Sequence, residues 1–184
     1  FIVPGDIQLS QFEIELTDYW TKCKDEGPRG FNGTAALSTL IDGVVNAYKP
    51  DYVFYDTGPN IGPLNRAILL DCDYFIIPGA CDLFSVRALK TLGHTLCKWI
   101  KTWQRIKEFA PKGAKVLQGT PALLGYIPQG FRVYGQTMTR LAAEYRARFE
   151  KQLYRDIISP LRKIDPSLAK SAVGDCKLGE VKDF

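Results

Sequence analysis

The sequence has little of what builds metal centres, membrane spans or disulfide frameworks. It contains one histidine, His94, and five cysteines, none of which forms a CxxC pair. An odd number of thiols without that spacing indicates reduced cysteines in a cytosolic compartment and argues against a zinc site. No apolar run reaches the roughly 18 residues that a membrane-spanning helix needs, and no signal peptide is recognisable.

Methionine is also scarce. Met138 is the only one, and the chain begins with Phe1 in a stretch that predicts a strand. We therefore expect the chain to be the later part of a longer protein. Its composition, 46% hydrophobic and 24% charged over 184 residues, is typical of a globular domain and argues against a disordered chain. The net charge of +4 favours polyanionic partners, although many proteins that bind no nucleic acid are equally basic.

Strand and helix patterns alternate along the chain. Period-3.6 spacing of apolar residues predicts helices from Ile7, after Thr34, at "PLNRAILL", from Asp82, and over residues 136–159, where Pro160 ends or kinks the last one. Short apolar runs predict strands at "FIVPG", "DYVFYD" and "YFIIP". The stretches "AKVLQGT" and "ALLGYIP" predict two halves of one strand, or a strand with an irregular approach. This order predicts an α/β fold: three layers, with a mostly parallel sheet flanked by helices.

The predicted strand "DYVFYD" ends on Asp56. Ligands of open parallel sheets bind beyond the carboxyl ends of the strands, and a carboxylate there is suited to magnesium, held directly or through water. The alternative is that Asp56 caps the turn or helix that follows. That turn is Thr57-Gly58-Pro59-Asn60, in which Gly58 lets the backbone approach a phosphate and Asn60 is also suited to cap the next helix.

Residues 50–92, "PDYVFYDTGPNIGPLNRAILLDCDYFIIPGACDLFSVRALKTL", resemble the core of the ParA/MinD family of deviant Walker ATPases. The shared pieces are the strand ending in Asp56, the turn to Asn60, a small helix, a strand with Pro78, and an acidic-aromatic helix start at Asp82. The resemblance extends more weakly over residues 1–160. It implies a P-loop NTPase-like domain over residues 1–164, without its N-terminal part, and a polar, loosely held tail over residues 165–184.

The family's function implies an ATP-driven positioning protein that uses ATP and Mg²⁺, of the kind that partitions plasmids or chromosomes. Its expected partners are a second copy in a nucleotide-dependent homodimer, a ParB-like activator, and DNA bound without sequence preference. By this resemblance, Asp56 is the catalytic, magnesium-side residue, and Thr57, Gly58, Pro59 and Asn60 form a switch-like loop near the γ-phosphate. Gln129, Gly130 and Phe131 pass the adenine, although for Phe131 ordinary packing is an alternative.

The sequence departs from the family in lacking the glycine-rich loop with its signature lysine. "GPRGFNGT" has glycines but no lysine before Thr34, and we interpret it as punctuation at a helix entry; "PKGAK" is too short. We expect the loop and the water-positioning aspartate to lie upstream of Phe1, so that the chain by itself hydrolyses ATP poorly or not at all.

Basic residues crowd the last predicted helix. The candidates for DNA contacts are Arg140, Arg146, Arg148, Lys151 and Arg155. The alternative is a solvated helix face, since acidic residues interleave with these bases and can pair with them at i,i+4. The end of the chain, "GDCKLGEVKDF", is a poor match to the membrane-binding tail of MinD-like proteins. Two other functions stay open: a non-hydrolysing adaptor of the same fold, and a relative acting in cellulose or polysaccharide secretion.

Overall fold

A computed structural model describes residues 2–25, 27–58, 60–134 and 137–183, with the backbone alone at residues 10, 131–134, 137, 138, 182 and 183. The chain divides into two units. Unit 1 comprises Phe1–Cys72 and Trp99–Gly119, and unit 2 comprises Asp73–Lys98 and Thr120–Phe184.

Unit 1 is built from helices. They are α1 (Leu9–Lys22), α2 (Pro28–Thr34), α3 (Ala36–Tyr48), α4 (Pro63–Asp71) and the last part of α5 (Leu83–Ile106). The helices predicted from Ile7, after Thr34 and at "PLNRAILL" are confirmed as α1, α3 and α4. Helix α4 buries its apolar side chains most completely, with Ala67, Ile68 and Leu70 inside. The strand predicted at "FIVPG" is wrong for residues 2–5, which lie outside any strand and are exposed.

The stretch "GPRGFNGT", predicted as punctuation at a helix entry, contains such an entry at Gly27 and Pro28 and is itself helical from Pro28 to Thr34, where α2 packs against α1. A Cβ on Gly30 would lie 2.5 Å from the backbone nitrogen of Cys23, and one on Gly33 would collide with the ring of Tyr19. The two glycines therefore let α2 approach α1 closely. Pro28 begins the helix at a position where its missing N–H costs nothing.

Aromatic side chains fill the core of unit 1. Trp103 is fully buried, stacks on Trp20 with ring centroids 5.2 Å apart, and meets Phe31 at 5.9 Å. Its indole nitrogen donates a hydrogen bond to the carbonyl of Leu117 at 2.9 Å. The other face of Trp20 carries the guanidinium of Arg66, 4.0 Å from the ring centroid. This stack joins α1, α2, α4 and the end of α5.

Unit 2 contains a two-stranded parallel sheet. Strands β1 (Tyr74–Ala80) and β2 (Ala122–Gln129) pair along their whole length, from Tyr74 opposite Ala122 to Ala80 opposite Gln129, and α5 makes the crossover between them. The strand predicted at "YFIIP" and the helix from Asp82 are confirmed. Asp82 accepts a hydrogen bond from the backbone N–H of Ser85 at 2.7 Å, as expected of an N-cap.

The approach to β2 is irregular, so the second alternative for "AKVLQGT", residues 114–120, is confirmed. Beyond β2, the backbone of β3 (Phe131–Tyr134) pairs antiparallel with β4 (Thr137–Met138). The last helical region is α6 (Arg140–Leu153), a π-helical turn (Tyr154–Ile158) and α7 (Ser159–Ile164). Pro160 does not end the helical region: it stands in the first turn of α7, where no intrahelical N–H is needed.

The segment after Pro166 runs beside β2, contrary to the expectation of a loosely held tail. Isolated bridges join Leu123 to Ala169 and Tyr126 to Lys177, and β5 (Lys182–Asp183) pairs with β3. A Cβ on Gly125 would collide with the carbonyl oxygen of Cys176, so this glycine admits the segment. The protein is thus a helix-rich α/β structure with a small parallel sheet.

Candidate functional site

Asp56 does not end a strand. Residues 52–58 form no strand, and Asp56 itself is exposed. The side chains of Tyr52 and Phe54 are 79% and 84% exposed, so the prediction of a doubly covered strand at "DYVFYD" is wrong. A strand needs a hydrogen-bonded neighbour, and in the described part of the chain no strand pairs with these residues. An apolar run by itself does not provide that partner.

Tyr55 is the one residue of this stretch that turns inward. Its ring is half-buried, and burial raises the pKa of its hydroxyl, with a further rise from Asp71, the Cys72 thiolate and Asp42. These groups belong to α3, α4 and the α4 terminus. Tyr55 therefore anchors the segment to unit 1, immediately before the Asp56 carboxylate.

The loop after Asp56 is closed by short hydrogen bonds. The backbone N–H of Asn60 donates to the carbonyl of Gly58 at 2.9 Å, and the side-chain oxygen of Asn60 accepts from the N–H of Gly62 at 2.9 Å. Gly62 is the N-cap residue of α4. Asn60 therefore does not cap α4: the N-cap is Gly62, without a side-chain cap hydrogen bond, and the Asn60 side chain bonds that residue instead. Pro59 lies outside the described residues.

Asn65, which sequence reasoning missed, fixes the same loop from the helix. Its side-chain nitrogen donates to the carbonyls of Gly58 and Asn60, each at 2.8 Å, and only 7% of the residue is exposed. The one signal in the sequence is a polar residue among the apolar positions of "PLNRAILL". A buried amide at such a position requires partners, but the sequence does not say which.

Glu13 of α1 lies at the start of α4. Its carboxylate accepts a long hydrogen bond, 3.4 Å, from the backbone N–H of Leu64, and a Cβ on Gly62 would lie 2.7 Å from the same oxygen. A negative charge at this end of a helix is favourable, because the N-terminal amides carry partial positive charge. The loop and the start of α4 are thereby held against α1.

The donor set of the loop fits magnesium in part. Asp56 and Thr57 offer exposed hard oxygen atoms, the kind that Mg²⁺ prefers. No cluster of three or more His, Cys, Asp or Glu suited to a metal occurs among the described residues. A lone carboxylate is sufficient when phosphate and water supply the other ligands, which is the usual arrangement for Mg²⁺ bound with a nucleotide.

A cradle for phosphate does not fit the residues of this chain. Gly30 and Gly33 are used for helix packing in α2, and the 184 residues contain no glycine-rich loop with a GK[ST] ending. A Cβ on Gly58 would meet nothing closer than the side chain of Asn60 at 3.7 Å. The residues of the Asp56 loop therefore fit Mg²⁺ in part and do not fit a phosphate group.

The residues predicted to pass the adenine belong to unit 2, whereas Asp56 to Asn60 belong to unit 1. Gln129 ends β2, and its carbonyl accepts a hydrogen bond from the N–H of Cys81 at 3.2 Å. Gly130 has a positive φ of 65°, which suits glycine at the turn into β3. Phe131 begins β3, and its side chain lies outside the described ones.

The basic residues of the last helices are mostly paired with acids. Arg140 pairs with Glu144 at 3.5 Å and Arg155 with Asp156 at 3.0 Å. Arg146 bonds Glu150 at 3.0 Å and Glu180 at 3.5 Å.

Two basic residues of this group, Arg148 and Lys151, differ from the others in their pairing. Arg148 is exposed, with its guanidinium 5.5 Å from the ring centroid of Tyr145, and Lys151 is exposed one turn further on. Arg148 and Lys151 are thus the members of the group that face solvent without an ion pair in the described part of the chain.

The remaining sequence predictions concern cysteine, histidine and membrane segments. All five cysteines are free; Cys23 and Cys176 are buried, whereas Cys72 and Cys81 are half-buried. Burial raises the pKa of the Cys23 and Cys81 thiols, which keeps them protonated. His94 is exposed on α5. Within the described residues, every helix is too short or too polar to cross a bilayer.

A crystal structure of a Corynebacterium diphtheriae protein superposes with a TM-score of 0.71 and 25% identity, over 98% of this chain and 59% of that one. Two uncharacterized proteins of Mycobacterium tuberculosis, from strains CDC 1551 and H37Rv, are each 34% identical over 97 residues, which are 53% of this chain. The chain spans 26% of the length of these curated relatives.

A family model described as an AAA domain matches residues 1–108. This range contains the Asp56 loop, Asn65 and Glu13. The match covers more than half of the 184 residues. The chain therefore belongs to the AAA domain family, a P-loop NTPase-like family related to ParA and MinD.

Proposed function

We propose that this chain provides the magnesium side of the nucleotide site in a ParA-like ATPase that positions plasmids or chromosomes. Asp56 faces the nucleotide-bound Mg²⁺, through water, and Thr57 to Asn60 form the loop near the γ-phosphate. The observation that carries the proposal is the exposed Asp56 carboxylate, placed in a loop that Asn65 closes by two hydrogen bonds. Membership of a P-loop NTPase-like family supports it.

The finer parts of the proposal follow from the same family. The fold is completed to a three-layer, mostly parallel sheet in the full-length natural protein, which works in the cytoplasm. Two copies associate when ATP is bound, a ParB-like protein stimulates hydrolysis, and DNA is held through its phosphates. The exposed Arg148 and Lys151 support the DNA contact. Gln129, Gly130 and Phe131 pass the adenine.

A second candidate function is a non-hydrolysing adaptor that binds another protein. It is favoured by the exposed rings of Tyr52 and Phe54, whose centroids lie 6.3 Å apart beside Asp56. Exposed aromatic side chains are enriched at protein interfaces. It is also favoured by the poor fit of these residues to a phosphate cradle.

The experiment is a titration of the full-length natural protein with ATP, with and without Mg²⁺. We expect binding that Mg²⁺ strengthens, and an Asp56→Ala variant that loses this strengthening. Asp51→Ala is the matched control, because Asp51 is an exposed carboxylate five residues earlier in the same segment. A wild-type protein without ATP affinity supports the adaptor, and an Asp56→Ala variant equal to wild type removes Asp56 from the site.

A further inference from the structure

Asn65 is a buried polar residue with an unusual pair of partners. One side-chain nitrogen donates both of its hydrogens to two carbonyls of a single loop, those of Gly58 and Asn60. Burying an amide is unfavourable unless its hydrogen-bonding groups are satisfied. No buried side-chain nitrogen or oxygen among the described residues lacks a partner, so the arrangement is complete. Of side chains with this shape, asparagine alone supplies two N–H donors.

The helix that carries Asn65 is firmly placed. Its neighbours Ala67, Ile68 and Leu70 are buried, and Arg66 lies over the ring of Trp20. The described residues of the loop that Asn65 bonds, from Asp56 to Asn60, are exposed and form no strand. The two hydrogen bonds therefore connect a fixed helix to the carbonyls on both sides of the turn, between the anchor at Tyr55 and the bond from Gly62 to Asn60. A site residue on a loop keeps its geometry only when a rigid element supports the loop.

We propose that Asn65 is the positioning residue of the Asp56 loop. It acts through the carbonyls of Gly58 and Asn60, and it touches neither nucleotide nor metal. Its two bonds keep Asp56 and Thr57 in the arrangement that faces Mg²⁺, so the inference rests on the proposed function. Losing both should weaken binding of magnesium-bound ATP about tenfold or more, given what two buried hydrogen bonds contribute.

The test is Asn65→Asp in the full-length natural protein. This change keeps the shape of the side chain, removes both donors and sets a carboxylate against two carbonyls. Asn46→Asp is the control, because it adds the same charge at an exposed position of α3. ATP affinity is measured with and without Mg²⁺. We expect Asn65→Asp to lose affinity with Mg²⁺ present and to change little without it, while Asn46→Asp resembles wild type.

A purely structural role gives another result, because a general loss of folding lowers both affinities together. An equal loss with and without Mg²⁺, or no loss, overturns the proposal. The second readout is hydrogen exchange at the amides of Asn60 and Gly62, which should quicken in Asn65→Asp and in Asn65→Ala. If the wild type binds no ATP, the proposed function fails. In that case the hydrogen-exchange rates alone decide whether Asn65 holds the loop. Rates that do not change in the two variants contradict the proposal that it does.

Discussion

The hydroxyl of Tyr126 donates a hydrogen bond of 2.7 Å to Oε1 of Glu150, and Arg146 donates to the same oxygen at 3.0 Å. Tyr126 stands on β2 and Glu150 on α6. Arg146 also reaches Glu180 in the segment beside β2, 3.5 Å away. One phenol and one guanidinium thus join a strand, a helix and the last residues of the chain. Burial and the bond to Glu150 both raise the pKa of Tyr126.

This raised pKa predicts a loss of stability in alkali. The folded state favours the protonated phenol. Tyr126 therefore contributes fully to the free energy of unfolding below the pKa of about 10 that tyrosine has in the unfolded chain, and this contribution declines as the pH rises toward the pKa of the folded state. The free energy of unfolding should fall by up to about 1.4 kcal/mol per pH unit from this group. Urea unfolding between pH 8 and 11 measures it. The free energy of unfolding should fall less steeply with pH in Tyr126→Phe than in the wild type. Equal slopes would show that Tyr126 ionises freely in the folded protein.

The close approach of α1 and α2 predicts opposite effects for two glycine-to-alanine changes. In Gly30→Ala the new methyl group meets backbone atoms of Lys22 and Cys23, which should destabilise the protein by about 1–3 kcal/mol. In Gly43→Ala, within α3, the methyl group meets nothing within 4 Å, and the change should stabilise by roughly 0.5–1 kcal/mol. Chemical denaturation compares the two. A Gly30→Ala variant as stable as wild type would mean that α2 does not pack in this way.

The ion pairs of α6 sharpen the prediction for DNA binding. Arg148 and Lys151 face solvent, so changing both to Ala should weaken DNA binding and lower its dependence on salt by about two phosphate contacts. Arg146→Ala should change DNA affinity little, because Arg146 is engaged with Glu150 and Glu180. Fluorescence anisotropy with duplex DNA at several salt concentrations makes the comparison. A DNA affinity that falls in Arg146→Ala and stays unchanged when Arg148 and Lys151 are replaced would contradict the proposed DNA contacts of α6.

Local sequence patterns predicted the helices well, but they predicted a strand at "DYVFYD" that does not form. Helices α1, α3, α4 and α5 follow from apolar spacing because each helix satisfies its own backbone hydrogen bonds. The stretch at Tyr52 to Tyr55 has equally strong strand composition, yet it forms no strand, since strand formation depends on a distant neighbour.

Other features depend on contacts that a linear pattern does not contain. Glycine disfavours helices in isolation, yet Gly30 and Gly33 lie in α2. Both positions need glycine because a Cβ there would collide with α1 or the residue that follows it. The candidate site likewise combines residues that the sequence pointed to with one that it did not. The assignment of Asp56 and its turn comes from the sequence and stays a prediction, whereas the contacts of Asn65 with the carbonyls of Gly58 and Asn60 follow only from the fold.

The affinity of the protein–ATP complex for Mn²⁺, measured by electron paramagnetic resonance, tests the central claim most directly. Mn²⁺ replaces Mg²⁺ and reports the cation itself. The wild-type protein should hold Mn²⁺ about tenfold or more tightly than Asp56→Asn, because hydrogen bonds to a charged group contribute roughly 1.5–3 kcal/mol. Asp51→Asn should match the wild type. Equal affinities of wild type and Asp56→Asn would contradict the assignment of Asp56 to the magnesium side of the site.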